Sequence, residues 1–275
     1  MNKTILITGT SSGIGKAAVK TFSQNGWNVA ATMRNPEKET EMTNWKGVKI
    51  YKLDVTNEES IQIAINNVIV DFGQIDVICN NAGYGAVGIF EKATDAQIRK
   101  QFDTNVFGCM NVIRAILPHF RRKKAGIIIN ITSMGGLITF PLYSLYHGTK
   151  WAMEGFSESL AFELRPLGIT VKCIEPGAIK TDFYNRSQDL FKNNNITDYD
   201  NYEQITFKNT QDAEATAPGP DVVANTIYKA ATDNSKKLRY PVGVQSATLL
   251  FLRRILPNSI YFAIVKSVVE KGFKA

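Results

Sequence analysis

The chain has 275 residues, of which 44% are hydrophobic and 21% are charged. These proportions are typical of a soluble globular protein with a sizeable core, and they exclude a disordered or fibrous chain. The formal net charge of +7 is spread along the chain, and its one basic run, residues 121–124, suits a helix C-terminus, so we expect no nucleic-acid partner.

Short β-branched runs alternate with longer helix-periodic segments along the chain. This alternation predicts an α/β fold: a doubly wound parallel sheet of the Rossmann type, in a single domain with helices on both faces. The predicted strands are Thr4–Thr8, Asn28–Met33, Val48–Leu53, Ile75–Asn80, Gly126–Thr132, Ile169–Ile174 and Leu238–Val242. We expect the ligand crevice at the carboxyl ends of these strands.

Two segments depart from the alternation. Between residues 180 and 216 the pattern loosens, which predicts an irregular substrate lid. Residues 246–275 predict a helical C-terminal extension whose apolar face packs on the core or on another subunit. That face consists of Leu249, Leu252, Leu256, Ile260, Ile264 and Val268. Because Arg253, Arg254 and Lys266 lie among them, peripheral contact with a membrane surface stays an alternative.

The cysteines and the N-terminus bear on the compartment. Cys79, Cys109 and Cys173 are far apart and odd in number, without the spacing of a metal site, so we expect reduced thiols and no metal. Only a short apolar run precedes Gly9, which argues against a signal peptide. No stretch reaches the ~18 apolar residues of a membrane span, so we expect a cytoplasmic protein.

A glycine-rich turn follows the first predicted strand. Glycines at a junction between a strand and a helix allow backbone amides to approach a pyrophosphate at the helix N-terminus. The turn therefore predicts a dinucleotide site, against the alternative of a purely structural turn. The residues expected to contact the cofactor there are Gly9, Ser11, Ser12, Gly13, Ile14 and Gly15.

Tyr146 and Lys150 lie four positions apart, so a helix would bring the phenol and the ammonium side by side. A free tyrosine has a pKa near ~10, and a neighbouring cation lowers it by favouring the phenolate. The pair therefore predicts a base that works near neutral pH. Taken alone, the same spacing also occurs by chance on solvated helices.

Together with the glycine turn, this pair resembles the short-chain dehydrogenase/reductase family. Further matches follow the predicted strands in order, at Asp54, residues 80–83, Asn105, Ser133 and residues 176–181. The resemblance implies four catalytic residues: Asn105, Ser133, Tyr146 and Lys150. Tyr146 would be the acid/base of hydride transfer, and Lys150 would lower its pKa and hold the nicotinamide ribose. Ser133 would bind the substrate oxygen, and Asn105 would anchor a water linked to Lys150.

The resemblance also implies cofactor contacts beyond the glycine turn. They are Arg34, Asp54, Asn81, Ala82, Gly83, Tyr146, Lys150, Pro176, Gly177, Ile179 and Thr181. For Asp54 a strand-end cap, and for Thr181 a helix N-cap, stay alternatives. The second strand ends at Arg34 without an acid, which favours NADP, because an arginine pairs with a 2′-phosphate. Ser12 stands where many NADP-using relatives carry a cation, which leaves NAD open.

Within the family, residues 81–88 look most like the branch of 17β-hydroxysteroid and retinol dehydrogenases. This implies a lipophilic alcohol, ketone or aldehyde as substrate. The expected substrate-binding residues are Ser133, Tyr143, Tyr146 and Phe183, with Leu137, Phe140, Leu142 and Tyr184 as further pocket candidates. A non-catalytic NAD(P)-binding sensor or scaffold and a β-ketoacyl-type reductase stay alternatives. We expect a homo-oligomer, and we interpret His119 and His147 as structural.

Overall fold

A computed structural model describes residues 2–181, 188–214 and 217–273. The strands are β1 (Thr4–Thr8), β2 (Asn28–Met33), β3 (Val48–Lys52), β4 (Val77–Asn80), β5 (Gly85–Val87), β6 (Gly126–Ile131), β7 (Ile169–Pro176), β8 (Gln188–Leu190) and β9 (Arg239–Val242). Seven of them form one parallel sheet in the order β3-β2-β1-β4-β6-β7-β9. The order reverses between β1 and β4, as in a doubly wound fold, so the predicted fold class is confirmed.

Helices cover both faces of this sheet. They are α1 (Gly13–Gln24), α2 (Glu58–Phe72), α3 (Asp95–Phe102), α4 (Gly108–Lys123), α5 (Ser144–Leu164), α6 (Asp200–Glu214), α7 (Asp221–Thr232), α8 (Val244–Ile255) and α9 (Asn258–Val269). In β1, Leu6 points into the core beneath α2, α4 and α5, whereas Ile5 and Ile7 point into the core beneath α1 and α7. Alternate residues of a strand face opposite sides, so a strand buried on both must be apolar throughout.

The segment after β7 is more regular than its sequence suggests. Strand β8 pairs in parallel with β5, and both strands are only three residues long. Residues 200–214 form helix α6, so the expectation of an irregular segment is wrong here. Helix α6 is polar, and it is held by side chains from outside it: Lys92 Nζ lies 2.9 Å from Asp200 and 2.8 Å from Glu203.

The C-terminal segment forms two helices, α8 and α9, which meet at Pro257. The apolar residues predicted for the second helix, Ile260, Ile264 and Val268, are exposed and do not pack on the core, and their contact with another subunit stays a prediction. In each turn, the residue that follows the exposed one in sequence is buried instead. These residues are Tyr261, Val265 and Val269, and they pack with Ile138. Every helix in the described ranges is too short or too polar to span a membrane.

Candidate active site

The turn after β1 is shaped by its three glycines. Gly9 and Gly13 have positive φ angles of 68° and 54°, a region that residues with a Cβ rarely adopt. A Cβ on Gly15 would lie 2.3 Å from the carbonyl oxygen of Gly9, and one on Gly9 would lie 2.7 Å from Cα of Ala82. Only glycine therefore lets α1 begin so close to the end of β1.

This turn fits a pyrophosphate. Ser12 is the N-cap of α1, and its side chain makes no capping hydrogen bond to the first turn. The first backbone N–H groups of a helix lack partners within it and carry partial positive charge, so they favour an anion. The close backbone approach and the uncapped helix end are the arrangement that a dinucleotide needs.

A cavity of about 1420 Å³ extends from this turn along the carboxyl ends of the strands. Single-ligand pockets commonly measure about 300–1000 Å³, so it has room for a dinucleotide and a second molecule. The predicted site residues that line it are Gly9, Ser11, Ser12, Gly13, Ile14, Arg34, Asp54, Asn81, Ala82, Gly83, Ser133, Tyr143, Tyr146, Lys150, Pro176, Gly177, Ile179 and Thr181. Gly15 and Asn105 lie behind its wall, and Phe183 and Tyr184 fall outside the described residues.

Three of the four predicted catalytic side chains meet in this cavity. Helix α5 carries Tyr146 and Lys150 one turn apart, and Nζ of Lys150 lies 5.6 Å from the centre of the Tyr146 ring. The phenol is hydrogen-bonded to Ser133, which follows β6 and accepts a hydrogen bond from Gly135 N at 3.0 Å. Nζ of Lys150 donates to the carbonyl oxygen of Ile131 at 2.9 Å.

Asn105 lies in a π-helical turn between α3 and α4, where such turns often mark functional sites. Its Oδ1 accepts from Tyr84 N at 3.1 Å, and its Nδ2 donates to Tyr84 O at 2.9 Å. The same Nδ2 donates to Oγ1 of Thr149 at 3.3 Å. Asn105 thus joins the segment after β4 to helix α5. Its partner on α5 is Thr149, the residue before Lys150, rather than Lys150 itself.

Burial shifts the pKa of both members of the pair. Burial raises the pKa of Tyr146 to about 12, although the hydrogen bond with Ser133 lowers it. Burial lowers the pKa of Lys150 to about 8, with Cys109 and Glu154 opposing the shift. In the protein alone, desolvation of the phenol therefore outweighs the effect of a cation directed at a carbonyl oxygen. The lowering of the Tyr146 pKa by Lys150 together with the oxidised cofactor stays a prediction.

His147, which the sequence led us to interpret as structural, also lines the cavity. Its Nδ1 accepts a hydrogen bond from Phe140 N at 3.3 Å, and its ring stacks on Tyr143 with the ring centres 5.6 Å apart. Burial lowers the pKa of His147 to about 4, so the ring is neutral. Helical spacing gave no signal for this contact, which arises because the segment before α5 folds back over the helix.

Asp54 and Arg34, at the adenine end of the cavity, differ in the hydrogen bonds that they make. Asp54 Oδ1 accepts hydrogen bonds from the backbone N and the hydroxyl of Thr56, at 3.0 and 2.7 Å. Asp54 therefore caps the turn after β3, as the alternative interpretation held, and it lines the cavity as well. Arg34 is exposed and makes no hydrogen bond or ion pair with any residue that the structure describes.

The comparisons with known proteins agree with this geometry. A family model for short chain dehydrogenases matches residues 3–190. The chain therefore belongs to the short-chain dehydrogenase family. An uncharacterized oxidoreductase of Schizosaccharomyces pombe is 40% identical over 231 residues, which cover 84% of this chain and 97% of that protein.

Two further relatives bear on ligands. The 3-ketodihydrosphingosine reductase of Bacteroides thetaiotaomicron is 41% identical over 179 residues, or 65% of each chain. The solved structure of ElxO with NADP bound has a TM-score of 0.76 and 28% identity, over 90% of this chain and 100% of that one. The chain is thus an oxidoreductase of this family, and a structure similar to it holds a nicotinamide cofactor. Its place in the hydroxysteroid and retinol branch stays a prediction.

Proposed function

We propose that this chain uses NADP(H) to interconvert a lipophilic alcohol and its ketone or aldehyde, with Tyr146 as the acid/base. One observation carries the proposal: the Tyr146 phenol is hydrogen-bonded to Ser133 inside a cavity that begins at a dinucleotide turn. Lys150 lies one helical turn away, on the same wall. A proton donor, an oxygen-binding hydroxyl and a cation are the groups that a carbonyl reduction needs.

The bound nicotinamide cofactor would supply the hydride in reduction and accept it in oxidation. The turn from Gly9 to Ile14 would hold its pyrophosphate, and Lys150 its nicotinamide ribose. Tyr146 would give the proton of its hydroxyl to the carbonyl oxygen, while Ser133 donates a hydrogen bond to the same oxygen. Because the pKa of Tyr146 is raised, the phenol carries its proton at neutral pH and can donate it in reduction.

Lys150 and Asn105 would act after the proton has left. A phenolate in this buried position is costly, and the ammonium of Lys150 beside the ring stabilises it. With a pKa of about 8, Lys150 is mostly charged at neutral pH and still able to pass a proton on. Asn105, which is fixed by both backbone groups of Tyr84, would anchor the water that completes this relay.

Arg34 supports the preference for NADP. Its guanidinium is exposed at the cavity wall next to the end of β2, where the ribose 2′ substituent of a dinucleotide is read in folds of this kind. An arginine that pairs with no residue in the described part of the chain is available for a charge-assisted bond to a 2′-phosphate. ElxO, which binds NADP, is in keeping with this preference. NAD is the alternative cofactor.

The substrate end of the cavity supports a lipophilic ligand. Beyond Tyr146 it is lined by Phe140, Tyr143, Leu249, Val265 and Val269. Apolar walls with a few convergent polar groups bind mainly through burial of apolar surface. The relative from Bacteroides is named for reducing a keto group on a sphingoid compound, which fits the same chemistry. Steroid and retinoid carbonyls belong to this class as well.

A panel of carbonyl compounds tests the proposal. Steroid ketones, a retinoid aldehyde, a long-chain keto amine, a β-ketoacyl thioester and a short ketone are each offered with NADPH and with NADH, and cofactor absorbance is followed. We expect the lipophilic ketones or aldehydes to be reduced fastest with NADPH. Reduction of the thioester alone would instead identify a β-ketoacyl-type reductase. Tight NADPH binding without turnover of any compound would favour the sensor alternative.

We also propose that the protein is a homo-oligomer and that it is cytoplasmic. Trp151 and Phe162 are eleven positions apart on α5, so they share one face, and both are exposed. Exposed aromatic side chains on one face suit a contact between subunits. A mass above that of one chain in light scattering, reduced by Phe162→Gln, would support the oligomer.

A further inference from the structure

Helix α8 carries exposed apolar side chains on one face. Val244, Phe251 and Ile255 are 85%, 61% and 55% exposed, and spacings of seven and four place them in one stripe. Helix α9 carries a second stripe at spacings of four, formed by Ile260, Ile264 and Val268. We call these six residues the docking face. Scattered single apolar residues are ordinary on surfaces, but apolar stripes on two consecutive helices are of the kind that marks an interaction site.

Helices α8 and α9 carry cations but no acidic residue. From residue 244 to residue 269 the sequence has no aspartate or glutamate. The same stretch has three cations, at Arg253, Arg254 and Lys266. Arg254 is exposed, and the side chain of Lys266 is 73% exposed and lies 3.8 Å from Glu270, just after α9. A partner for this face must therefore accept apolar side chains and cations together.

The docking face reaches the cavity that contains Tyr146. Ile264 and Val268, two of its members, also line this cavity. Thr248 lies in the α8 stripe, four residues after Val244, and it lines the same cavity. A partner bound to the docking face would thus lie at the edge of the cavity in which the carbonyl would react.

We propose that α8 and α9 dock this protein on an anionic lipid surface, with the cavity mouth against the membrane. Each helix has 12 residues, or about 18 Å of length, whereas a membrane-spanning helix needs about 20 residues. The helices would therefore lie in the headgroup region with their apolar stripes buried and their cations beside anionic headgroups. A lipophilic substrate would then enter directly from the bilayer. This last step rests on the proposed function, whereas the docking itself does not.

Co-sedimentation with vesicles tests the docking. The full chain is mixed with vesicles of phosphatidylcholine alone, or with a third of phosphatidylglycerol, at low and high salt. We expect strong binding only to the anionic vesicles at low salt. Arg254→Gln should weaken that binding roughly fivefold, and Phe251→Gln with Ile255→Gln tenfold or more. Lys20→Gln and Val70→Gln are the matched controls, because both residues are exposed on other helices, and they should bind as the wild type does.

Two results would overturn the docking. One is binding to neither vesicle, or binding that the docking-face substitutions leave unchanged. The other is a self-association of the wild type, without lipid, that the Phe251 and Ile255 substitutions abolish, since this would assign the face to contact between copies of the chain. Light scattering in the absence of vesicles measures this second result.

A turnover measurement separates the docking from the proposed function. Neither Phe251 nor Ile255 lines the cavity, so their double substitution should leave reduction of a short, water-soluble ketone unchanged. Reduction of a ketone embedded in anionic vesicles should fall by about the same factor as binding. Vesicle binding without reduction of any ketone would support the docking and reject the proposed function. Equal reduction of the embedded ketone by both proteins would overturn entry from the bilayer.

Discussion

The cofactor end and the substrate end of the cavity are built in different ways. The cofactor end is made from the ends of β1, β2 and β4, whose side chains are packed into two large apolar cores. The substrate end is covered by α6, α8 and α9, which we call the cover. The cover is attached by a small cluster around Ile138 and Tyr261 and by polar contacts such as Lys92 Nζ to Asp200, 2.9 Å.

This difference separates what is fixed from what varies. Apolar burial on both faces of the sheet holds the dinucleotide turn and Ser133 at constant positions relative to each other. The cover has little apolar burial, and regions of that kind open at a lower free energy than the core. We therefore expect the sheet to determine the chemistry, and the cover to determine which substrate enters and how fast it leaves.

The largest expected effect comes from Tyr146→Phe. The ring still packs, but no hydroxyl remains to move the proton, so kcat should fall roughly 10³-fold or more. The Kd for NADPH, measured by fluorescence, should stay within about twofold, because the dinucleotide turn is unchanged. Tyr143→Phe is the matched control: it removes a hydroxyl from the same cavity and should alter KM more than kcat. Substantial turnover by Tyr146→Phe would reject the assignment of the acid/base.

The sequence predicts the sheet better than the cover for physical reasons. The bounds of β1 and β2 match the structure at both ends, because strands buried on both faces must be apolar throughout. Helix α6 shows no such pattern, since it is held by Lys92 and by polar contacts that are distant in sequence. Both stripes of α9 are apolar, so the sequence alone does not indicate which one packs on the core.

The sequence predicted which catalytic residues lie together in the site, but not the protonation of Tyr146. Helical spacing alone paired Tyr146 with Lys150, whereas Ser133 joined them through the resemblance to the short-chain dehydrogenase/reductase family. The direction of the pKa shift of Tyr146 was not predictable, since it depends on how deeply the phenol is buried. A sequence indicates neighbours along a helix but carries no direct measure of desolvation.

Two buried carboxylates are an exception to the apolar packing around the sheet, and they test how far apolar burial explains the protein's stability. Glu154 of α5 and Glu175 of β7 are buried side by side, and Arg239 Nε lies 3.0 and 3.4 Å from their carboxylates. Burial, followed by the charge of Glu154, raises the pKa of Glu175 from 4.5 to about 8. Between these pH values the folded protein binds a proton that the unfolded chain has lost, so stability should fall as the pH rises.

Glu175→Gln should remove this loss, because the amide stays neutral at every pH. The variant should exceed the wild type in free energy of unfolding near pH 8 by on the order of 2–4 kcal/mol, with little difference near pH 5. Urea unfolding at both pH values measures it. Glu158→Gln is the matched control, because Glu158 pairs with the same Arg239 but is exposed. A wild type that is equally stable at both pH values would contradict the buried proton.

Arg34→Asp should change the cofactor rather than the chemistry. Loss of the guanidinium and gain of a carboxylate beside the 2′-phosphate should weaken NADPH roughly 10- to 100-fold, since a hydrogen bond to a charged group contributes about 1.5–3 kcal/mol. NADH should be affected far less, because its 2′-hydroxyl suits an acid. The ratio of kcat/KM for the two cofactors measures the shift. Arg114→Asp, on the surface of α4, is the control, and equal losses for both cofactors would contradict the role of Arg34.

The smallest expected effect concerns the attachment of the cover. Lys92 contacts Asp200 and Glu203 at the start of α6, and Lys92→Met would leave these two carboxylates facing each other without a cation. Like charges left together repel, so α6 should dock less often over the cavity. Helix α6 contributes Thr210 to the cavity wall. If α6 is docked in about one molecule in ten, the apparent affinity for the carbonyl substrate falls by the same factor, so we expect its KM to rise roughly tenfold.

The same substitution should leave the cofactor end intact. The Kd for NADPH should change less than about twofold, and hydrogen exchange should rise in α6 while β1 and β4 stay protected. Arg114→Met removes an exposed cation from a pair with Glu58, and it should alter neither quantity, since such pairs contribute little. If Lys92→Met weakened NADPH as much as the carbonyl substrate, the two ends of the cavity would have to be one cooperative unit, and the cover could not select substrates independently of the sheet.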